Sequence, residues 1–282
     1  ANDYSTFVFL QQEDTTLAPP IRTHYLASAN RNGIELIDLD NDGLDELVVG
    51  HFGGITVQRW NGSGFDSTLV TGSNDADVLV QADVDRDGNA DLIGFRWSGS
   101  ATVFHGNGTG GFGHTSTITT PLRGYNDIEV ADINGDGIAD LVLSSGQGLP
   151  YGFWVMHHDG AAGFLAPVFV PLPDNADGIA VGDFNHDGLP DVLASQGTNS
   201  PSFVHLVSGQ VDGTLLHTAS YPSHDIPGVL QSADVDNDGF VDALALHGGW
   251  NRVGTYMGNG TGLDPERLFA IPYASQYQSE GL

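Results

Sequence analysis

The sequence predicts an all-β fold assembled from tandem copies of one four-stranded unit. Three observations carry that prediction. Valine-, isoleucine- and phenylalanine-rich runs are short and are broken by Asn-Gly and Asp-Gly pairs, the pattern of strands joined by tight turns. A nine-residue segment, D-x-[D/N]-x-D-G-x-x-[D/E], occurs five times, starting at Asp38, Asp83, Asp132, Asp183 and Asp234, which are 45, 49, 51 and 51 residues apart. The flanks of these copies repeat as well, so the period belongs to a structural unit and not to the loop alone.

Each element of the unit can be placed in turn. An apolar segment precedes every acidic loop: Gly33 to Ile37, Val78 to Ala82, Asp127 to Ala131, Gly178 to Gly182 and Val229 to Ala233. A second follows directly, as LVVG, LIGF, LVLS, VLAS and ALAL. A third runs into a Gly-rich turn, as in ITVQRWNGSGF, ATVFHGNGTGGF, FWVMHHDGAAGF, FVHLVSGQVDGTL and GTYMGNGTGL. A fourth closes the unit, for example Ser67 to Val70, Ser116 to Thr119, Pro167 to Pro171 and Arg267 to Ile271. Four short strands in nearly 50 residues make a β-propeller blade, whose small sheet hides its two faces against neighbouring blades. An open β-solenoid, the alternative, has shorter repeats.

The expected layout is one propeller domain over residues 1–282, with complete blades at about 31–72, 77–121, 126–173, 177–222 and 228–272. Thr6 to Gln11 followed by Ile21 to Leu26 reads as the third and fourth strands of a further blade, and Tyr273 to Leu282 as the approach to a first strand. Residues 1–30 and 273–282 are therefore expected to contribute to a shared or incomplete blade, giving six blades, with seven as the alternative.

Composition narrows the partners. The chain holds 36 acidic against 8 basic residues, a formal charge of −28, so the compact state repels itself unless cations bind. Nucleic acid and anionic membrane surfaces are poor partners for such a chain, because the 8 Lys and Arg form no basic face. Without cysteine, neither a disulfide nor a thiolate metal site is available. No apolar run approaches the roughly 18 to 20 residues of a spanning helix, and the start at Ala1 reads as a processed or trimmed terminus.

The acidic loops point to a hard cation. Oxygen ligands at positions 1, 3, 5 and 9, with the carbonyl at position 7 and a glycine after position 5, can converge on one calcium ion. The first loop offers Asp38, Asp40, Asp42, Leu44 (carbonyl) and Glu46; the second Asp83, Asp85, Asp87, Asn89 and Asp91. The third offers Asp132, Asn134, Asp136, Ile138 and Asp140; the fourth Asp183, Asn185, Asp187, Leu189 and Asp191; the fifth Asp234, Asp236, Asp238, Phe240 and Asp242. The ligand positions of these loops account for 18 of the 36 acidic residues, and five structural Ca²⁺ would bring −28 to −18. Magnesium fits less well because it demands octahedral geometry and keeps its waters. Zinc would need His or Cys, and the loops contain only His186, which is expected to point away. An EF-hand needs a Glu at position 12 between two helices, whereas position 12 here is Val49, Gly94, Leu143, Ala194 and Ala245 in strand-like flanks.

This loop, set between two blade strands and followed by Gly64-Phe65, Gly111-Phe112 and Gly163-Phe164 near the third turn, resembles the FG-GAP/VCBS-type repeats of integrin α-subunit propellers and their bacterial and fungal relatives. The resemblance covers about residues 30 to 272. It implies that the calcium loop joins the first and second strands at the bottom rim with a mainly structural role, and that six to eight blades close the ring. Some relatives are lectins, but the tryptophan-containing sugar motif of the mushroom-lectin branch is absent, so no sugar specificity carries over.

With the loops at the bottom, the turns between second and third strands and between fourth and next first strands face the top. They gather His51, Phe52, Arg96, Trp97, Tyr125, Tyr151, Asn199, His224, Trp250 and Arg252, a set suited to stacking on and hydrogen bonding with a carbohydrate or a protein loop. The expected function is an extracellular, secreted or cell-surface binding module for adhesion or recognition. One alternative is a polysaccharide lyase conscripting Tyr151, His51, His224 and Arg252; another is a structural spacer of a larger adhesin. No fixed-spacing catalytic motif appears, and His157 and His158, following a strand, are expected to be exposed. Asn61, Asn107 and Asn259 head Asn-Gly-Ser/Thr triplets that read as hairpin turns before they read as glycosylation sites.

Overall fold

The computed structural model describes residues 5–11, 16–24, 33–51, 53–71, 76–96, 99–120, 127–144, 149–161, 163–198, 201–248 and 252–270. Every regular element among them is a strand. β1 (Ser5–Val8) and β2 (Ile21–His24) form an antiparallel pair. The first blade contains β3 (Ile34–Ile37), β4 (Glu46–His51), β5 (Gly54–Trp60) and β6 (Phe65–Thr71). The second contains β7 (Val78–Ala82), β8 (Asp91–Arg96), β9 (Ser100–Gly106) and β10 (Phe112–Thr119). The third contains β11 (Ile128–Ala131), β12 (Asp140–Ser144), β13 (Gly152–Met156) and β14 (Val168–Pro171). The fourth contains β15 (Ile179–Gly182), β16 (Asp191–Ser195), β17 (Ser202–Gly209) and β18 (Leu215–Ser223). The fifth contains β19 (Pro227–Ala233), β20 (Asp242–His247), β21 (Arg252–Tyr256) and β22 (Arg267–Ala270).

Each blade is an antiparallel meander in chain order, the β-propeller architecture the repeat predicts. The early pair β1–β2 falls where the third and fourth strands of a further blade were expected; residues 273–282 lie outside the described residues.

The chain divides into two compact units, residues 1–123 and 124–282. In the first unit, one core joins Ile37, Val48, Ile55 and Val57 of the first blade to Ala76, Leu79, Leu92 and Phe104 at the second. In the second unit, consecutive residues of β16 serve two cores: Val192 and Ala194 pack with the third blade, while Leu193 packs with the fifth. This explains why the second strand of each repeat is an unbroken apolar run rather than an alternating one: both of its faces are buried.

Position 2 of the acidic loop locks one blade to the next. Leu39 enters the core of the second blade, Ile133 that of the fourth and Phe184 that of the fifth, at 2%, 3% and 1% exposure. Val235, at the same position of the fifth loop, is 45% exposed. Hydrogen bonds add to the lock: Asp127 Oδ2 accepts from Ile179 N at 2.8 Å, and Ser232 Oγ donates to Val181 O at 2.8 Å.

Candidate metal centres and a candidate ligand groove

The five loops fold identically because their backbone requires it. Position 4 lies in the left-handed region at Asn41, Arg86, Gly135, His186 and Asn237, with φ of 58°, 61°, 74°, 59° and 61°. Asparagine and glycine tolerate this conformation best, and the position-6 glycines follow it at φ of 83° to 92°. The turn aims successive amides inward. The position-1 carboxylate accepts the amides of positions 5 and 6, at 3.0 to 3.2 Å and 2.8 to 3.0 Å. The position-5 carboxylate accepts the amide of position 7 at 2.8 to 2.9 Å.

Position 9 is the first residue of the second strand and is buried in every loop: Glu46, Asp91, Asp140, Asp191 and Asp242 are between 0% and 6% exposed. Each accepts the position-2 amide at 2.8 to 3.1 Å. The aspartates use their second oxygen on an amide at the end of the third strand, Gly106 and Gly209, or two residues past it, His158 and Gly258, at 2.7 to 2.9 Å. Glu46, one methylene longer, instead meets Arg59 Nε at 3.1 Å.

The donor set fits a hard cation. Carboxylate oxygens of Asp38, Asp40 and Asp42 lie within 4.8 Å of one another, as do those of Asp83, Asp85 and Asp91 and those of Asp234, Asp236 and Asp242. Asp40 Oδ1 is buried and receives no hydrogen bond, a costly state for a carboxylate without a cation. Burial, reinforced by Asp187 and Asp183, pushes the Asp191 carboxyl up to about 6 against the hydrogen bonds it accepts. Burial also pushes Asp91 up. Nearby positive charge is what would restore ordinary ionisation to such groups. In the third and fourth loops Asn134 and Asn185 take position 3, each accepting the position-5 amide at 2.9 Å. His186 is exposed and packs edge-on against Phe240, ring centres 5.0 Å apart, away from the carboxylates of its own loop.

A groove of about 590 Å³ lies between the edge strands of the fourth and fifth blades, within the range of small-molecule sites. Tyr221, Pro222, Ser223 and His224 line one side, and Leu263, Pro265, Glu266 and Leu268 the other. Glu266 organises it: Oε1 lies 2.7 Å from His247 Nε2, and Oε2 accepts from His224 N at 2.7 Å. Burial alone would raise this carboxyl, but the bonds from His247 and the His224 amide outweigh it and hold Glu266 below its usual range. Tyr221 Oη accepts from Leu263 N at 3.1 Å, bracing the two blades.

Comparison with known proteins identifies the repeat over the first three acidic loops. Residues 38–94 and 83–143 match the sequence profile described as FG-GAP-like repeat. Residues 38–143 thus carry FG-GAP-like repeats, set in a β-propeller of which five four-stranded blades are described. A lectin of Agrocybe aegerita, solved for its specific recognition of non-reducing terminal N-acetylglucosamine, superposes with a TM-score of 0.65 at 20% identity, over 94% of this chain and 74% of that one. BBS1N in complex with ARL6DN superposes at 0.62 and 13% identity, over 98% and 83%. The V. cholerae biofilm matrix protein Bap1 superposes at 0.50 and 17% identity, over 84% and 38%. At these identities the likeness is one of fold. No curated protein matches the sequence.

The propeller distributes the expected top-face residues unevenly. His51 is a core residue at 2% exposure, its Nε2 2.9 Å from Thr56 Oγ1 across the β4–β5 hairpin, and so has no surface for a ligand. Arg96 ends β8 with its Nε buried and without a hydrogen bond. Tyr151 is 37% exposed, Arg252 is exposed at the start of β21, and His224 lines the groove. Phe52, Trp97, Tyr125, Asn199 and Trp250 lie outside the described residues.

The histidines of the third strands correct the expectation of exposure. His158 is 4% exposed, and His157 Nδ1 lies 2.8 Å from Asp140 Oδ2. The amide of His158 donates to Asp140 Oδ1 at 2.8 Å, which draws the residues after the strand against the loop. A usable signal was present: the residues preceding that turn in the first three blades are Arg59, His105 and His157, all able to donate to a carboxylate.

Proposed function

We propose that this propeller is an extracellular binding module whose blades are clasped by five structural calcium ions and whose groove beside Glu266 receives a carbohydrate. The observation that carries the metal half is the loop geometry, repeated five times, with the buried Asp40 Oδ1 left without any hydrogen bond. A single acidic turn is satisfied by water; a buried bare carboxylate oxygen is not. Asp38, Asp40, Asp42 and Glu46, with their counterparts in the other loops and the carbonyls of position 7, would hold the ion, which supplies charge neutralisation and no chemistry.

The ligand half rests on the groove's make-up. The ring of Tyr221 and the prolines offer apolar faces, Glu266 is held ionised as an acceptor, and His224 adds an imidazole. That mixture suits the C–H faces and hydroxyls of a sugar, and the Agrocybe aegerita lectin supports the reading at the level of fold. Protein partners, as in the BBS1N complex, are the other occupants the fold accommodates. A lyase reading gains little, because His51, one of the residues it would conscript, is buried against Thr56.

The test is a glycan array probed with calcium-loaded chain, EDTA-treated chain and a Tyr221→Ala variant. Binding to a defined glycan class that is lost in EDTA, restored by Ca²⁺ and weakened in the variant supports the reading; a blank array with folded, calcium-loaded protein overturns its ligand half.

A further inference from the structure

The second blade differs from the other four beside its acidic loop. His105 (β9) and His114 (β10) are cross-strand partners, their rings stacked with centres 4.2 Å apart and planes 9° from parallel. A register shift between Phe112 and His114 re-aims the outer strand here. His105 is 3% exposed, and its Nδ1 lies 3.3 Å from both Asp85 Oδ2 and Asp91 Oδ2, with no hydrogen bond of its own. Ligand atoms of Asp85, His105 and His114 all fall within 4.8 Å of one another.

We propose that this cluster is a mixed nitrogen–oxygen site for a borderline first-row divalent cation, zinc in the simplest case, held by Asp85, His105 Nδ1 and His114. Two imidazoles and a carboxylate form the ligand set of such ions, whereas calcium takes oxygen alone. The outer contact is already in place: His105 Nε2 lies 2.8 Å from Ser116 Oγ, so metallation at Nδ1 leaves the Nε2 proton to be donated to that hydroxyl. His114 is exposed and can turn to complete the site. The remaining blades lack the pair. The cross-strand partners there are Arg59 with Asp66 and Ser208 with Leu216, and the single His157 of the third blade is bonded directly to Asp140. Asp85 is shared with the second calcium loop, so an ion held here would set that loop apart from its four copies.

Calcium-loaded chain titrated with Co²⁺ tests the site. One equivalent should bind with the visible bands of nitrogen-containing coordination, and Zn²⁺ should displace it. His114→Ala, a surface change, should weaken Co²⁺ by about tenfold or more while leaving the thermal shift between EDTA and Ca²⁺ as in the wild type. Absence of the bands, or bands indifferent to His114→Ala, overturns the proposal. Loss of the EDTA shift in the wild type would instead count against the calcium reading and leave the cobalt result to decide this one.

Discussion

Asp191 Oδ1 and the amide of Gly209, 18 residues apart in sequence, lie 2.9 Å apart in the fourth blade. The other oxygen of the same carboxylate receives the amide of Phe184 at 3.0 Å. One side chain therefore ties the loop, the second strand and the end of the third strand together, whether or not an ion is bound. Asp187, four residues earlier, is exposed, and its carboxylate accepts the amide of Leu189 in its own loop at 2.9 Å.

This division separates two kinds of ligand. Asp191→Ala should cost about 3 kcal/mol even in EDTA, because it strands two buried amides. Asp187→Ala should cost about 1 kcal/mol in EDTA and more once calcium is supplied. Urea unfolding of both variants with and without calcium checks this; equal losses in EDTA would count against it.

Removing the metal should lower the melting temperature, with recovery on adding Ca²⁺ and poor recovery on adding Mg²⁺. A site with Kd on the order of 10⁻⁴ to 10⁻³ M contributes about 2.7 kcal/mol when calcium stands one hundredfold above Kd. The third and fourth loops, with Asn134 and Asn185 in place of a carboxylate, should empty first on graded chelation. A melting curve unmoved by EDTA would end the calcium reading.

Position 2 of the loops marks where sequence reading stops. The repeat showed the strands, their order and the alternate acidic positions, because a period-two ligand pattern and a glycine turn are local. Nothing local distinguishes Phe184 from Val235, yet one is 1% and the other 45% exposed, since burial depends on what stands beside the blade. The groove was hidden for the same reason: Tyr221 and Glu266 are 45 residues apart and meet only when two blades pack. Phe184→Ala should cost about 3 to 5 kcal/mol and Val235→Ala about 1 kcal/mol or less. Chemical denaturation of the two variants, with similar losses as the contrary result, tests the contrast.

The last prediction concerns pH. Burial, with Asp177 nearby, pushes the Asp127 carboxyl up to about 6 from 3.8, despite the amides of Ile179 and Ile128 that it accepts. A raised carboxyl binds its proton more tightly folded than unfolded, so its contribution to stability is full below pH 4 and is lost as pH rises through about 6. The amount at stake is about 3 kcal/mol. Asparagine cannot ionise, but it offers one acceptor oxygen where the carboxyl accepts an amide on each of two. Asp127→Asn should therefore fall below the wild type near pH 4 and close that gap by pH 7.5, flattening the stability profile between them. Saturating calcium must be present throughout, so that Asp191 and the other loop carboxylates stay ionised and do not add their own slope. Parallel profiles for the two proteins would show that Asp127 keeps its charge in the fold, with its two amides and the surrounding dipoles sufficient to solvate it.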